Sequence, residues 1–210
     1  MLVQLCLVTR NKAITVTTLH MLLQLANRCY QRQDHQLAIN FVEDTRALAK
    51  FIRQGERIMW VDYGCCLDQE SFEYIFDPMK GRDVLVFPTV VEGIDWNRFR
   101  KGVKEGIKEP LHQLGLNFDT EVGSKVSDGI WTVTRSNPKV FVVNGSSIEK
   151  KLRTKKGEGI KLPRDVDLIF EKFRECDVKT YAYTKANVLV TYTHECVGNI
   201  LEATGVRVQT

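Results

Sequence analysis

The residues best placed for chemistry stand where apolar runs stop. In "RIMWVDYGCCLDQESF" (57–72), the apolar residues from Ile58 to Val61 end on Asp62, followed by Tyr63 and then Gly64. "LVQLCLV" (2–8) ends on Thr9, Arg10 and Asn11, and "HQLAINFVED" (35–44) ends on Glu43 and Asp44. If each run is a strand of a parallel sheet, these groups gather along its carboxyl edge, where open α/β sheets bind their ligands. Hydroxyl, guanidinium, amide and carboxylate at three neighbouring strand ends form a set able to hold a nucleotide. The plainer reading of Asp62 is a turn residue after a strand, and Asp68 reads most simply as a helix N-cap.

The elements that must position these residues follow from periodicity. Leu19, Leu22, Leu23, Ala26 and Cys29 recur at helical spacing behind three threonines able to cap, Thr15, Thr17 and Thr18. "TRALAKFIRQG" reads as a second helix closed by Gly55, and Phe72, Ile75, Phe76 and Met79 form the buried stripe of a third. "RDVLVFPTV" is a fourth strand. Strands apolar at consecutive positions, alternating with amphipathic helices, predict a parallel sheet covered on both faces, hence α/β. From 89 to 148 the pattern loosens around Trp96, Trp131 and "NPKVFVV", which predicts mixed strands and long loops. A helix over 165–177 buries Val166, Ile169, Phe170 and Phe173, "KTYAYTKANVLVTYTHE" alternates as one or two strands, and "ECVGNILEATG" reads as a last short helix.

Composition narrows the class. A chain of 210 residues, 43% hydrophobic and 27% charged, can bury roughly 70% of its unfolded surface as one domain. The six cysteines form no C-x-x-C and three lie inside apolar patterns, which suits reduced core thiols in a cytoplasmic setting and disfavours zinc or thiol catalysis. "MLVQLCLVTRNK" has no basic leader before its apolar run, which is far shorter than the ~20 residues a membrane span needs. There is no G-x-G-x-x-G after the first strand and no G-x-x-x-x-G-K-[ST], so dinucleotide and P-loop sites are disfavoured. Net charge is +4, yet residues 149–164 hold seven Lys/Arg against two Glu, so the remainder is near −1. That segment reads either as a solvated surface loop or as a loop that meets phosphate. Its cations are not interleaved with aromatics, which argues against a nucleic-acid partner.

With this order of elements, the chain resembles nucleotide-sugar-dependent glycosyltransferases of the GT-A fold. "MWVDYGCCLD" is similar to the third strand of that family, which ends in a D-x-D that binds a divalent metal on the diphosphate. "VFPTVVEGIDW", "FDTEV" and "YTHECVGNI" resemble small glycosyltransferase-like proteins of large DNA viruses. The resemblance implies a GT-A-like (Rossmann-like) α/β domain over 1–210, a mostly parallel sheet flanked by helices. Residues 1–96 would be the nucleotide-binding half. Residues 97–210 would be a mixed α+β half that serves the acceptor and completes the metal site, with a basic loop at 149–164. It implies transfer of a sugar from a nucleotide-diphosphate sugar to a hydroxyl of a glycan or protein acceptor, assisted by Mn²⁺ or Mg²⁺. A non-catalytic nucleotide- or sugar-binding module on the same scaffold is the alternative.

On this resemblance Thr9, Arg10, Asn11, Asp44, Asp62 and Tyr63 become nucleotide contacts. Gly64 stands where the second aspartate of D-x-D would be, so a second residue would have to join Asp62 on the metal. His194 of "TYTHEC" matches the C-terminal histidine that many such transferases use, and imidazole favours Mn²⁺ over Mg²⁺. Of the acids Glu92, Asp95, Asp119 and Asp128, the first candidate for a general base is Asp128, in "SDGIW" beside Trp131. Trp96 and Trp131 are either core residues or platforms for a sugar ring.

Overall fold

A computed structural model of the chain describes residues 1–32, 35–107, 115–153 and 159–191. Strand β1 (Leu2–Val8) leads through a tight loop to helix α1 (Val16–Gln31), and β2 (Gln36–Val42) leads through a 3₁₀ turn to α2 (Leu48–Arg53). Next come β3 (Arg57–Val61), the short β4 (Cys65–Leu67), α3 (Glu73–Phe76) and β5 (Val84–Phe87). A long excursion carrying α4 (Trp96–Glu105) precedes the hairpin of β6 (Thr120–Ser127) and β7 (Ile130–Ser136). The described chain closes with β8 (Val140–Asn144), α5 (Gly145–Leu152), α6 (Val166–Glu175), β9 (Thr180–Tyr183) and β10 (Val188–Val190).

Among the described residues, eight strands make one sheet in the order β2-β1-β3-β8-β5-β9-β7-β6, and β4 pairs with β10 separately. The expected parallel run is present: β1 lies parallel to both β2 and β3, and β5 is parallel to β9. Only β8 and β7 run against the other six. Every residue of β3 and β5 is buried, as a strand covered on both faces requires. Alternate residues feed two cores. Leu5, Leu7, Met59 and Val61 meet α1, β4 and α3 on one face, while Cys6, Ile58, Trp60 and Phe141 meet α2, α5 and α6 on the other.

Three expectations need correction. Helix α1 buries Thr18, Met21, Leu22, Leu25 and Cys29, leaving Leu19 and Leu23 exposed. Both stripes have helical spacing and share Leu22 and Cys29; the Thr18 hydroxyl, which donates to the Cys65 carbonyl at 2.9 Å, goes with the buried one. The basic segment 149–164 is not one loop. Its first residues belong to α5, Lys151 reaches Asp83 at 2.9 Å, and Ile160 and Leu162 are buried in the second core. The stretch expected to hold only strands and loops contains α4, capped by Asp95, which accepts from the Asn97 and Arg98 amides, and closed by Gly106 at φ 62°. The predicted C-terminal helix lies outside the described residues.

Candidate functional site

From β1 the chain goes to β2 on one side and returns to β3 on the other, with α1 and α2 on opposite faces. A crevice is expected at the carboxyl ends where the order reverses. One of about 420 Å³ is found there, lined by Val8, Asp44, Trp60, Asp62, Asn137 and Arg164, with Glu43, Thr45 and the start of α6 around them. Two of the sequence-predicted residues, Asp44 and Asp62, thus face the same space.

Each is held differently. Asp44 caps the 3₁₀ turn before α2 and takes two bonds of 3.0 Å from the Arg46 Nε, with Arg164 at 3.9 Å. The Arg46 side chain holds its carboxyl below the ordinary value. Arg164 is placed there by the buried Thr45, whose hydroxyl meets the Pro163 and Arg164 carbonyls at 2.8 and 2.6 Å. Asp62 accepts from the Tyr63 amide at 2.7 Å and forms no ion pair among the described residues. Trp60 is 2% exposed, and its indole N–H has no hydrogen-bond partner among the described residues. The ring packs in the second core against Phe141, so this donor is closed off although its residue lines the crevice.

The loop after β1 is a tight turn in which Arg10 and Ala13 exchange backbone bonds of 3.2 and 2.9 Å. Asn11 and Lys12 sit at its corners with φ of 51° and 60°, left-handed backbone that asparagine tolerates better than lysine. The turn sets the Arg10 guanidinium over the Tyr63 ring at 5.0 Å, next to Asp62. Thr9 donates its amide to the Val42 carbonyl at 3.0 Å, locking the β1 end to the β2 end.

Gly64 explains the departure from D-x-D. Its φ is +77°, and a Cβ there would stand 2.8 Å from the Thr191 carbonyl oxygen, while its own carbonyl accepts from the Thr191 amide at 2.8 Å. Strand β10 therefore brings the chain against the Asp62 turn three residues before His194. His194 itself lies outside the described residues, and no three His, Cys, Asp or Glu side chains among the described residues converge as a metal cage.

The fold does not bring Asp128 to Asp62. Asp128 occupies the β6–β7 turn, and no hydrogen bond or ion pair among the described residues links it to Asp62. It pairs with Lys185, which holds its carboxyl below the ordinary value and weakens it as a base. Asp119 is the acid nearer Asp62. The Lys139 carbonyl accepts from the Asp62 amide at 2.8 Å, and the Lys139 amide faces the Asp119 carboxylate at 3.4 Å. Burial raises the Asp119 carboxyl, opposed by bonds from the Thr89 hydroxyl and amide and the Thr120 hydroxyl. With its oxygens so engaged, Asp119 ties the chain after β5 to the start of β6. Burial lifts the thiols of Cys6 and Cys65 to about 12, which makes them inert.

Thr45, Trp60, Asn137 and Arg164 were not foreseen at the site. Trp60 and Arg164 carried a partial signal, one in the site strand and the other in the basic segment.

The fold and crevice together define a class: a mixed α/β sheet flanked by helices, with an acidic crevice at its switch point. No protein-family model and no curated protein matches the chain. Among solved structures it is similar to A197 from STIV, a viral protein, with a TM-score of 0.51 and 11% identity over 91% of this chain and 86% of that one. It is also similar to a Bacillus anthracis protein assigned as a glucose-1-phosphate thymidylyltransferase and solved with sucrose, at a TM-score of 0.49 and 9% identity over 100% and 97% of the two chains. The first likeness shows the fold alone. No helix among the described residues is long and apolar enough to cross a membrane.

Proposed function

We propose that the switch-point crevice binds a nucleotide-diphosphate sugar with a divalent metal, and that the protein transfers the sugar to an acceptor hydroxyl of a glycan or protein. The observation that carries this is the crevice itself, with the Asp62 carboxylate, which has no ion pair among the described residues, on one wall and the Asp44–Arg164 pair on the other. Glu43, Asp44, Asp62, Asp165 and Asp167 line it against the single guanidinium of Arg164, so a diphosphate would be repelled unless a cation entered with it. Asp62, at the end of β3, is proposed as the protein carboxylate that holds that ion, with His194 as its second ligand. Hard divalent ions usually complete their shell with water and substrate phosphate, so two protein ligands suffice. When bound, the ion offsets the charge of the leaving diphosphate. In the transfer, the acceptor oxygen bonds the anomeric carbon as that carbon's bond to the diphosphate oxygen breaks, and the hydroxyl proton leaves to a base. Thr9, Arg10, Asn11 and Tyr63 are not among the residues that line the crevice; from the turns beside it, Arg10 is proposed to meet a phosphate oxygen and Thr9 and Asn11 the nucleoside. Asp128 is not assigned as that base in this reading, because its pairing with Lys185 lowers its carboxyl and weakens it as a base. The absent second aspartate favours one rival, a binding module without catalysis, which would bind nucleotide-sugar and not hydrolyse it.

Thermal melting with UDP, GDP, ADP and CDP, each with Mn²⁺, Mg²⁺ or chelator, tests the site. A ligand at 100 times its dissociation constant adds about 2.7 kcal/mol, a rise in Tm of roughly 5 to 10 °C for a chain of this size. The rise should need metal, be absent in Asp62→Asn and His194→Ala, and not grow in Gly64→Asp. The last variant should melt lower than the parent, because left-handed backbone alone costs a side chain about 1 to 2 kcal/mol. A full rise in Asp62→Asn would leave Asp62 as a turn residue and remove the metal site.

A further inference from the structure

Between β5 and β6 the chain leaves the carboxyl edge and returns to it. The excursion is clamped at its base: Asp119 donates its amide to the Thr89 carbonyl at 3.0 Å, Val90 bridges Phe118, and Val91 donates to Asn117 at 2.8 Å. At its far end rides α4, and of α4's ten residues only Gly102 is buried. Trp96 and Val103 fall on one side of this helix and are 58% and 50% exposed; Ile107 just beyond it, with Val91, Ile94 and Phe118 beside it, is exposed too. Arg100 and Lys104 flank the Trp96–Val103 line by helical spacing, with Arg98 and Lys101 on the far side. Arg98 reaches the Leu116 carbonyl at 3.1 Å, and Lys101 lies 3.9 Å from Glu105, the one acid within the helix.

A short helix with Trp and aliphatic residues on one side, cations on the other, and little covering either is built to lie in an interface. We infer that α4 docks on the surface of an anionic phospholipid bilayer, with Trp96 and Val103 at the headgroup boundary and Arg100 and Lys104 among the lipid phosphates. Charge complementarity selects this partner, because the patch needs an apolar depth and a negative surface side by side. Nucleic acid offers the charge and aromatic faces, but no aliphatic layer for Val91, Ile94, Val103 and Ile107. The clamp on Thr89 and Asp119 would then turn the carboxyl edge of the sheet toward the membrane. Nothing in this inference depends on a nucleotide or a sugar.

The test is co-sedimentation of the full chain with phosphatidylcholine vesicles, alone or with about a third phosphatidylserine, at low and raised salt, with no nucleotide present. The phosphatidylserine vesicles should bind at least tenfold more tightly, and salt should weaken the binding. Trp96→Ala and Arg100→Glu/Lys104→Glu should each weaken it tenfold or more, since each cation near such a surface is worth about fivefold. Lys50→Glu/Lys150→Glu, an equal charge change on α2 and α5, should bind within about threefold of the parent. Trp96→Phe should keep binding but lose the blue shift of tryptophan emission on vesicles. Equal melting temperatures would show that the variants fold. No binding to phosphatidylserine, equal binding to both vesicles, or binding indifferent to Trp96→Ala and to the charge reversal each overturns the inference. So does a single-stranded oligonucleotide that binds through the patch while vesicles do not, or a dimer in light scattering that Trp96→Ala dissolves in a protein that ignores vesicles.

Discussion

Asp83 and Asp119 are two carboxylates held by hydroxyls and amides, and they respond to acid in opposite senses. At 4% exposure Asp83 would be raised by burial, but bonds from the Ser147 hydroxyl, the Lys179 amide at 2.7 Å and Lys151 at 2.9 Å bring it below its ordinary value. Its stabilisation is present above the unfolded value of about 3.9 and is lost as pH falls through the lower folded value. Asp119 is raised by burial, so its ionisation costs the fold stability as pH rises through the folded value. Urea midpoints taken from about pH 3 to 7 should separate the two. Asp83→Asn should flatten the acid side of the profile, and Asp119→Asn should remove a decline on the rising side. Profiles moving in the same sense would contradict the assigned causes. Sequence could show that Asp62 ends a strand, because a run of buried residues announces its own boundary. It could not show that Asp119 and Asp62 meet through Lys139, since those residues are far apart in sequence and depend on β8 entering between β3 and β5.

Helix α1 shows what periodicity determines at the scale of elements and what it leaves open. Its existence, a threonine cap and its place after β1 are legible, because capping and spacing are local, while the choice of Thr15 from Thr15, Thr17 and Thr18 is not. Which of two apolar stripes faces inward was not. That depends on β4 and on Met21, whose sulfur lies 3.2 Å from the Leu67 amide. The resulting prediction is sharp: Leu25→Ala should cost about 2 to 5 kcal/mol, as a fully buried leucine does, while Leu23→Ala, at 61% exposure, should stay within about 0.5 kcal/mol. Chemical denaturation of both variants checks it, and comparable losses would restore the other stripe. α4 was missed for a related reason. Its apolar residues face out, so they mark no core, and its arginines and lysines resemble an ordinary solvated loop. The basic segment erred the other way, because Ile160 and Leu162 are buried within a run that charge alone presents as surface.

At the scale of the molecule, the α/β class and the switch point could be read early, since residues 1–61 carry β1, β2 and β3 with their crossovers. The second half could not, because its strands enter the sheet out of order. Strand β9, 180–183, sits between β5 and β7, and among the described residues the β6–β7 hairpin pairs with the other strands of the sheet through β9 alone. This seating has a consequence in time. On the ribosome the hairpin is complete at residue 136, but the strand that connects it to β5 emerges 47 residues later. At about 5 to 20 residues per second, that is an interval of roughly 2 to 9 s. Through it β5 and β7 each expose an open edge to any other chain nearby. Synonymous slow codons placed over 137–179 should therefore lower the soluble yield, whereas the same codons over 1–61 should change it little. Equal yields from the two messages would mean that the gap is filled by another part of the nascent chain. Among the described residues, β9 is the strand whose late arrival sets how long this protein is vulnerable while it is being made.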